Sequence, residues 1–179
     1  CYNGQVLEVK KIMSSHKNDL QYMKIVNNIL DNEEFLKLQK IEHHGISRYD
    51  HSLKVSYYSY KVAKLMHLDY EQTARGGLLH DFFISKEDRT SKERFISTFT
   101  HPKLAVKTAK SQFTLTKKEE DMIRSHMFPI NLSVPKYMES WIISLVDKAV
   151  ATNEFSVKCK FKLKYAYNLF LIFAIGIIK

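Results

Sequence analysis

Residues 47–81 read SRYDHSLKVSYYSYKVAKLMHLDYEQTARGGLLHD, and the period of this stretch decides the fold class. After Ser47, the residues Val55, Tyr58, Val62 and Leu65 recur at three- and four-residue steps, which predicts a long helix with one apolar stripe. His51 falls on that stripe. Asp69 is a good N-cap for a second helix running through Ala74 and Leu78 to His80–Asp81. Gly76 and Gly77 lie inside it and cost about 1 kcal/mol each in helix propensity. Their presence points to close backbone approach in a crowded place.

The helical pattern continues on both sides. Upstream, Ile25, Ile29 and Leu30, then Phe35, Leu36 and Leu38, alternate with charged residues at helical spacing, punctuated by Asn and Asp at 27–32, and Gly45 breaks the pattern. Downstream, residues 84–100 read as a polar loop and a short helix. His101–Pro102 is expected to open the next helix, with Pro in the tolerated first turn. Thr116-x-x-Glu119 is a capping box for a helix carrying Met122, Ile123 and His126, which Pro129 ends. Pro135 opens another, with Met138, Ile142, Leu145 and Ala149 as its inward stripe and Asp147 beside it. Tyr57, Tyr58, Met122 and Met138 read as core. Five or six helices with short connections predict an all-α bundle.

Composition agrees. The 179 residues are about one domain's worth, and 45% hydrophobic with 26% charged residues excludes general disorder. Five glycines and three prolines argue against turn-dense β architecture. Two cysteines, Cys1 and Cys159, make neither a disulfide framework nor a zinc cluster. A reducing, cytoplasmic setting is therefore expected, and a start at Cys1 reads as a trimmed or partial N-terminus. The net charge of +9 favours anionic partners without choosing among them.

Of the eight histidines, His16, His43, His44 and His67 lie in polar surroundings and read as surface residues. His51, His80, His101 and His126 fall on apolar-periodic helices, as do Asp81 and Asp147. Burying each alone would be costly, and a metal ion resolves the cost for all six together. Imidazole and carboxylate suit iron, manganese, zinc and similar ions. The intervals from 51 to 80, 81 to 101, 101 to 126 and 126 to 147 each span about one helix and its connection, the spacing by which a bundle brings its ligands to a common centre. Neighbours on a helix point about 100° apart, so His80 and Asp81 share one ion only inside a tight ring, or Asp81 reaches towards a second. Arg48 lies one turn before His51 and carries a forked, permanently charged group suited to phosphate. Lys86, Arg89, Lys103 and Lys148 are further candidates for binding substrate.

Three strings carry a family resemblance: Arg48-Tyr49-Asp50-His51-Ser52, Gly77-Leu78-Leu79-His80-Asp81 and Val146-Asp147-Lys148. Over roughly residues 44–155 the chain resembles the HD-domain superfamily of metal-dependent phosphohydrolases. The resemblance implies a helical fold with His51, His80, Asp81 and Asp147 holding one metal. His101 and His126 match the positions that hold a second metal in the dinuclear branches, with Asp81 bridging. The first string is most similar to the branch that cleaves dinucleoside polyphosphates. The Lys that commonly follows the His-Asp pair is displaced here, the nearest being Lys86.

The expected organisation is a helical N-terminal segment (1–43) packed on the domain, a metal-binding catalytic core (44–155) and a basic, then apolar, C-terminal segment (156–179). In that last segment Val157 to Tyr165 alternate with lysines at strand period, and Tyr165 to Ile178 run almost wholly apolar. As a helix those residues would span about 21 Å, short of a hydrocarbon core of about 30 Å, yet the four lysines beside Tyr165 and Tyr167 resemble a membrane-interface flank. Packing on the domain, pairing in a homodimer and peripheral attachment to the cytoplasmic face of a membrane are the readings. The expected activity is hydrolysis of a phosphoester or phosphoanhydride, of a nucleotide or dinucleoside polyphosphate, by a hydroxide activated between two divalent metals such as Fe or Mn. Asp81, His101, His126 and Arg48 are the expected catalytic residues. The alternatives are a di-iron oxygenase on the same ligands and a non-catalytic nucleotide-binding module. Nucleic acid is not expected, since no recognition motif accompanies the charge.

Overall fold

Asp19 begins the first helix by accepting the Tyr22 backbone N–H, and α1 runs Leu20–Leu30. It buries Tyr22, Val26, Ile29 and Leu30. Asn32 caps the short α2, Glu33–Leu36, which continues as a 3-10 turn over Lys37–Lys40. A two-residue antiparallel ladder pairs β1, Glu42–His43, with β2, Ile46–Ser47. The computed structural model describes residues 18–43, 46–84 and 91–156. Ser47 then caps α3, Arg48–Leu65, and Asp69 caps α4, Tyr70–Leu79. Helix α5 runs Ser91–Gln112. Thr116 and Glu119 form the expected capping box at the start of α6, Lys117–Ser125. Helix α7 occupies 138–156. The architecture is all-α.

The tightest packing is between α3 and α4, and glycine permits it. A Cβ on Gly77 would lie 2.9 Å from the Ser56 Cα, closer than side-chain carbons approach backbone. Ser56 Oγ donates to Ala74 O (2.6 Å) and accepts from Tyr22 Oη (2.8 Å). One serine thus ties α1, α3 and α4 together. Phe35, Leu38, Leu53, Tyr60, Leu78, Leu79 and Phe82 fill the core around this junction.

Several sequence expectations are corrected. Pro102 does not open a helix but sits inside α5; proline removes one helical hydrogen bond, and the helix carries through. Tyr58 and Leu65 are exposed, so the inward face of α3 is instead His51, Ser52, Val55, Ser56, Ser59 and Ala63. Helix α7 starts at 138 rather than at Pro135, and of its expected stripe only Ile142 is buried. Met138 and Leu145 are 54% and 63% exposed and Ala149 also faces out, while Ser140, Ile143, Ser144, Asp147, Val150 and Glu154 are buried. The polar side of α7 faces inward because Asp147 and Glu154 find partners there, which apolar burial on the other side could not supply. The expected surface position of His67 holds. His16, His44 and the C-terminal segment from 157 onward lie outside the described residues, as does the side chain of His43. Among the described residues no helix is long and apolar enough to cross a membrane.

Candidate metal centre

Five helices deliver side chains to one buried place. His51 stands in the first turn of α3. His80 ends α4 and Asp81 occupies the turn beyond it. His101 projects from the middle of α5, His126 ends α6, and Asp147 projects from α7. All six are buried.

Each histidine is pinned through Nδ1. His80 Nδ1 donates to Gly77 O (2.7 Å), and His126 Nδ1 to Ile123 O (2.8 Å). Those carbonyls belong to helix ends, where the last C=O groups lack helical donors, so each ring caps the helix it terminates. His101 Nδ1 reaches back to Ser97 O (2.9 Å). His51, at a helix start, has no such terminal carbonyl to cap, and its Nδ1 meets Glu154 Oε2 at 2.9 Å. A carbonyl oxygen only accepts, so Nδ1 carries the proton in His80, His101 and His126. In neutral rings Nε2 is then left as the lone-pair donor.

The Nε2 atoms converge on the two aspartates. Asp147 Oδ1 lies 3.0 Å from His51 Nε2 and 3.6 Å from His80 Nε2. Asp81 Oδ1 lies 3.4 Å from His101 Nε2 and 3.6 Å from His126 Nε2. His101 and His126 place their Nε2 atoms 3.0 Å apart.

Two features show that the set fits a metal. Among the described residues His80 Nε2 is buried with no hydrogen-bond partner, a cost that a coordinate bond removes. The facing Nε2 atoms of His101 and His126 would oppose two lone pairs unless a cation stands between them. Three overlapping groups have ligand atoms within 4.8 Å of one another: His51–His80–Asp81, His80–His126–Asp147 and Asp81–His101–His126. The donors are imidazole nitrogen and carboxylate oxygen, the set that suits Fe, Mn and Zn.

The electrostatics divide the centre. Burial pulls His51 down, but hydrogen bonds and charge from Asp147 and Glu154 outweigh it and raise its pKa to about 10. Burial, reinforced by His80 and His101, pushes His126 down to about 3. Burial would raise Asp147, yet His51 and His80 hold it well below the usual carboxylate range.

The remaining candidates fare differently. Arg48 is buried; it donates from Nη1 to Phe83 O (2.7 Å), lies 4.0 Å above the Phe83 ring, and its Nε stands 3.9 Å from Asp81 Oδ2. Phe83 in turn stacks on His101, with ring centroids 5.3 Å apart. Lys148 Nζ donates to His126 O, Ser144 O and Ser144 Oγ at 2.8–3.0 Å; its ammonium holds the end of α6. Lys103 is exposed on α5, beside a groove it lines with Phe99, Arg124 and Asn131. Lys86 and Arg89 lie outside the described residues. Sequence reasoning missed Phe83 and Glu154. For Glu154 a signal existed: it follows Asp147 by two helical turns and shares its face.

A family model described as HD domain matches residues 48–152. Comparison with curated proteins and with solved structures gives no match.

Proposed function

The chain belongs to the HD-domain family, and from that premise we propose that it is a metal-dependent phosphohydrolase acting on a phosphoester or phosphoanhydride of a nucleotide-like substrate, dinucleoside polyphosphates included. The observation that carries this reading is the set of four buried imidazoles, each fixed through Nδ1 and turned with Nε2 towards Asp81 or Asp147.

His51, His80, Asp81 and Asp147 would hold one ion, and His101 and His126 a second, with Asp81 shared. Bound there, the ions would act as Lewis acids on phosphoryl oxygens and bring a coordinated water's pKa towards neutrality. The protein's part is to fix geometry before substrate arrives. Helix-end carbonyls and Glu154 set the ring orientations, and burial strengthens every charge interaction at the centre. Arg48 stands as a fixed cation beside Asp81; any help it gives a substrate phosphate goes together with holding Asp81 and Phe83 in place. Lys103 is the exposed cation nearest His101 in sequence and suits the distal phosphate of a longer substrate.

The test is to load purified protein with Mn or Fe under anaerobic conditions and assay phosphate release from nucleotides, dinucleoside polyphosphates and cyclic dinucleotides. Metal-dependent release is the expected result. Ligand binding without turnover would make the chain a nucleotide-binding module, and oxygen consumption by an iron-loaded form would make it an oxygenase.

A further inference from the structure

Glu154 is 2% exposed. Its Oε2 meets His51 Nδ1 at 2.9 Å, and its Oε1 accepts from Lys54 Nζ at 3.0 Å. It lies beyond the residues that the family model matches, which end at 152. We infer that Glu154 is a positioning residue for the metal centre: it orients His51 and strengthens its Nε2 as a donor. This inference rests on the metal reading above.

His51 is held differently from the other three histidines of the centre. The other three rings are held by carbonyls of their own helices, at i−3 or i−4. His51 is held by a side chain 103 residues away in sequence, on another helix. A carboxylate acceptor makes a stronger, charge-assisted bond than a neutral carbonyl. With the Nδ1 proton drawn towards Glu154, electron density shifts to Nε2, and ligand basicity rises. Lys54, one turn after His51 on α3, balances the buried carboxylate, so Glu154 stays ionised without charging the centre further. The triad Lys54–Glu154–His51 therefore joins α7 to α3.

The experiment measures Zn and Mn affinity by competition against a chelator for wild type, Glu154→Gln and Glu154→Ala, with folding checked by circular dichroism in EDTA. Glutamine keeps an acceptor for Nδ1–H but loses the charge, and alanine loses both. We expect affinity to fall in the order wild type, Gln, Ala, with the alanine loss roughly 10- to 100-fold. A residue that merely tied helix ends would lower the melting temperature in EDTA and leave affinity unchanged. Equal affinity in all three folded proteins overturns the inference; so does an unchanged Gln variant if Ala does not fold. A wild type that takes up no metal would instead overturn the metal reading itself.

Discussion

The two sides of the centre use the same residue type in opposite electrical settings. On one side, His51 lies between two carboxylates, Asp147 and Glu154, and is held strongly basic. On the other, His126 faces His101 and His80 and is driven to about 3, first by burial and then by those rings. Asp81 is the acid shared with the second side, 3.4–3.6 Å from its two Nε2 atoms. A histidine's role is therefore set by what packs against it. The carboxylate-backed side favours a cation even without metal, because a proton serves. On the imidazole-rich side His126 is held neutral, which leaves its Nε2 lone pair for a metal.

The largest expected effect comes from breaking the two sides separately. His126→Ala should lower metal content from about two to about one per folded chain, as for loss of half of a two-metal site. It should cut turnover by about 10²–10³-fold, the scale of losing one preorganised charge stabiliser. Asp81→Ala should deplete both sides. Metal analysis on variants checked by circular dichroism decides this: if wild type never exceeds one metal per chain, the two sides are one site, and His101 and His126 are better read as substrate or proton-transfer residues.

A smaller effect, of the order of a few kcal/mol per limb, should appear in stability against pH with EDTA present. His51, which burial lowers and the two carboxylates raise to about 10, stabilises the fold fully below about pH 6.5. That contribution is lost as pH rises through about 10. His126 has the opposite sign. The unfolded chain takes up its proton near pH 6.5, the folded chain only near 3, so stability is withdrawn as pH falls across that window. Denaturation midpoints should thus peak near pH 6.5. His51→Gln should flatten the alkaline limb and His126→Gln the acidic one; limbs that fail to separate would show that the two sides are not electrically distinct.

The smallest effect sharpens the comparison sterically. Gly77→Ala puts a Cβ 2.9 Å from the Ser56 backbone, forcing α4, which carries His80, away from α3, which carries His51. Overpacking of this kind costs about 1–3 kcal/mol. A lowered thermal midpoint is expected, together with weaker metal binding at the His51–His80 side and unchanged binding at the His101–His126 side. Equal weakening of both would mean the centre responds as one rigid unit.

Sequence alone is enough for the all-α class, the caps at Asp69 and Thr116, the close approach at Gly77, and the six residues that meet at the centre. Each of these depends on short-range rules, helical period, capping chemistry and the cost of burying a polar group alone, which act within a few residues of the position concerned. Tertiary structure decided the rest. Of the apolar stripe Met138, Ile142, Leu145 and Ala149 on α7 only Ile142 is buried, because rotating the helix to bury the other three would leave Asp147 and Glu154 without His51. Pro102 stays within α5, because the helix continues on both sides of the one hydrogen bond that proline removes. Arg48 reads as a phosphate clamp from its place one turn before His51, but the Phe83 carbonyl and Asp81 that flank its guanidinium come from a distant turn. Glu154 carries a local hint in its two-turn spacing from Asp147, but its partner lies 103 residues away. Which face of a helix turns inward, and which distant group a buried charge meets, depend on the whole set of packed helices, because only their joint arrangement settles where each polar group can be satisfied.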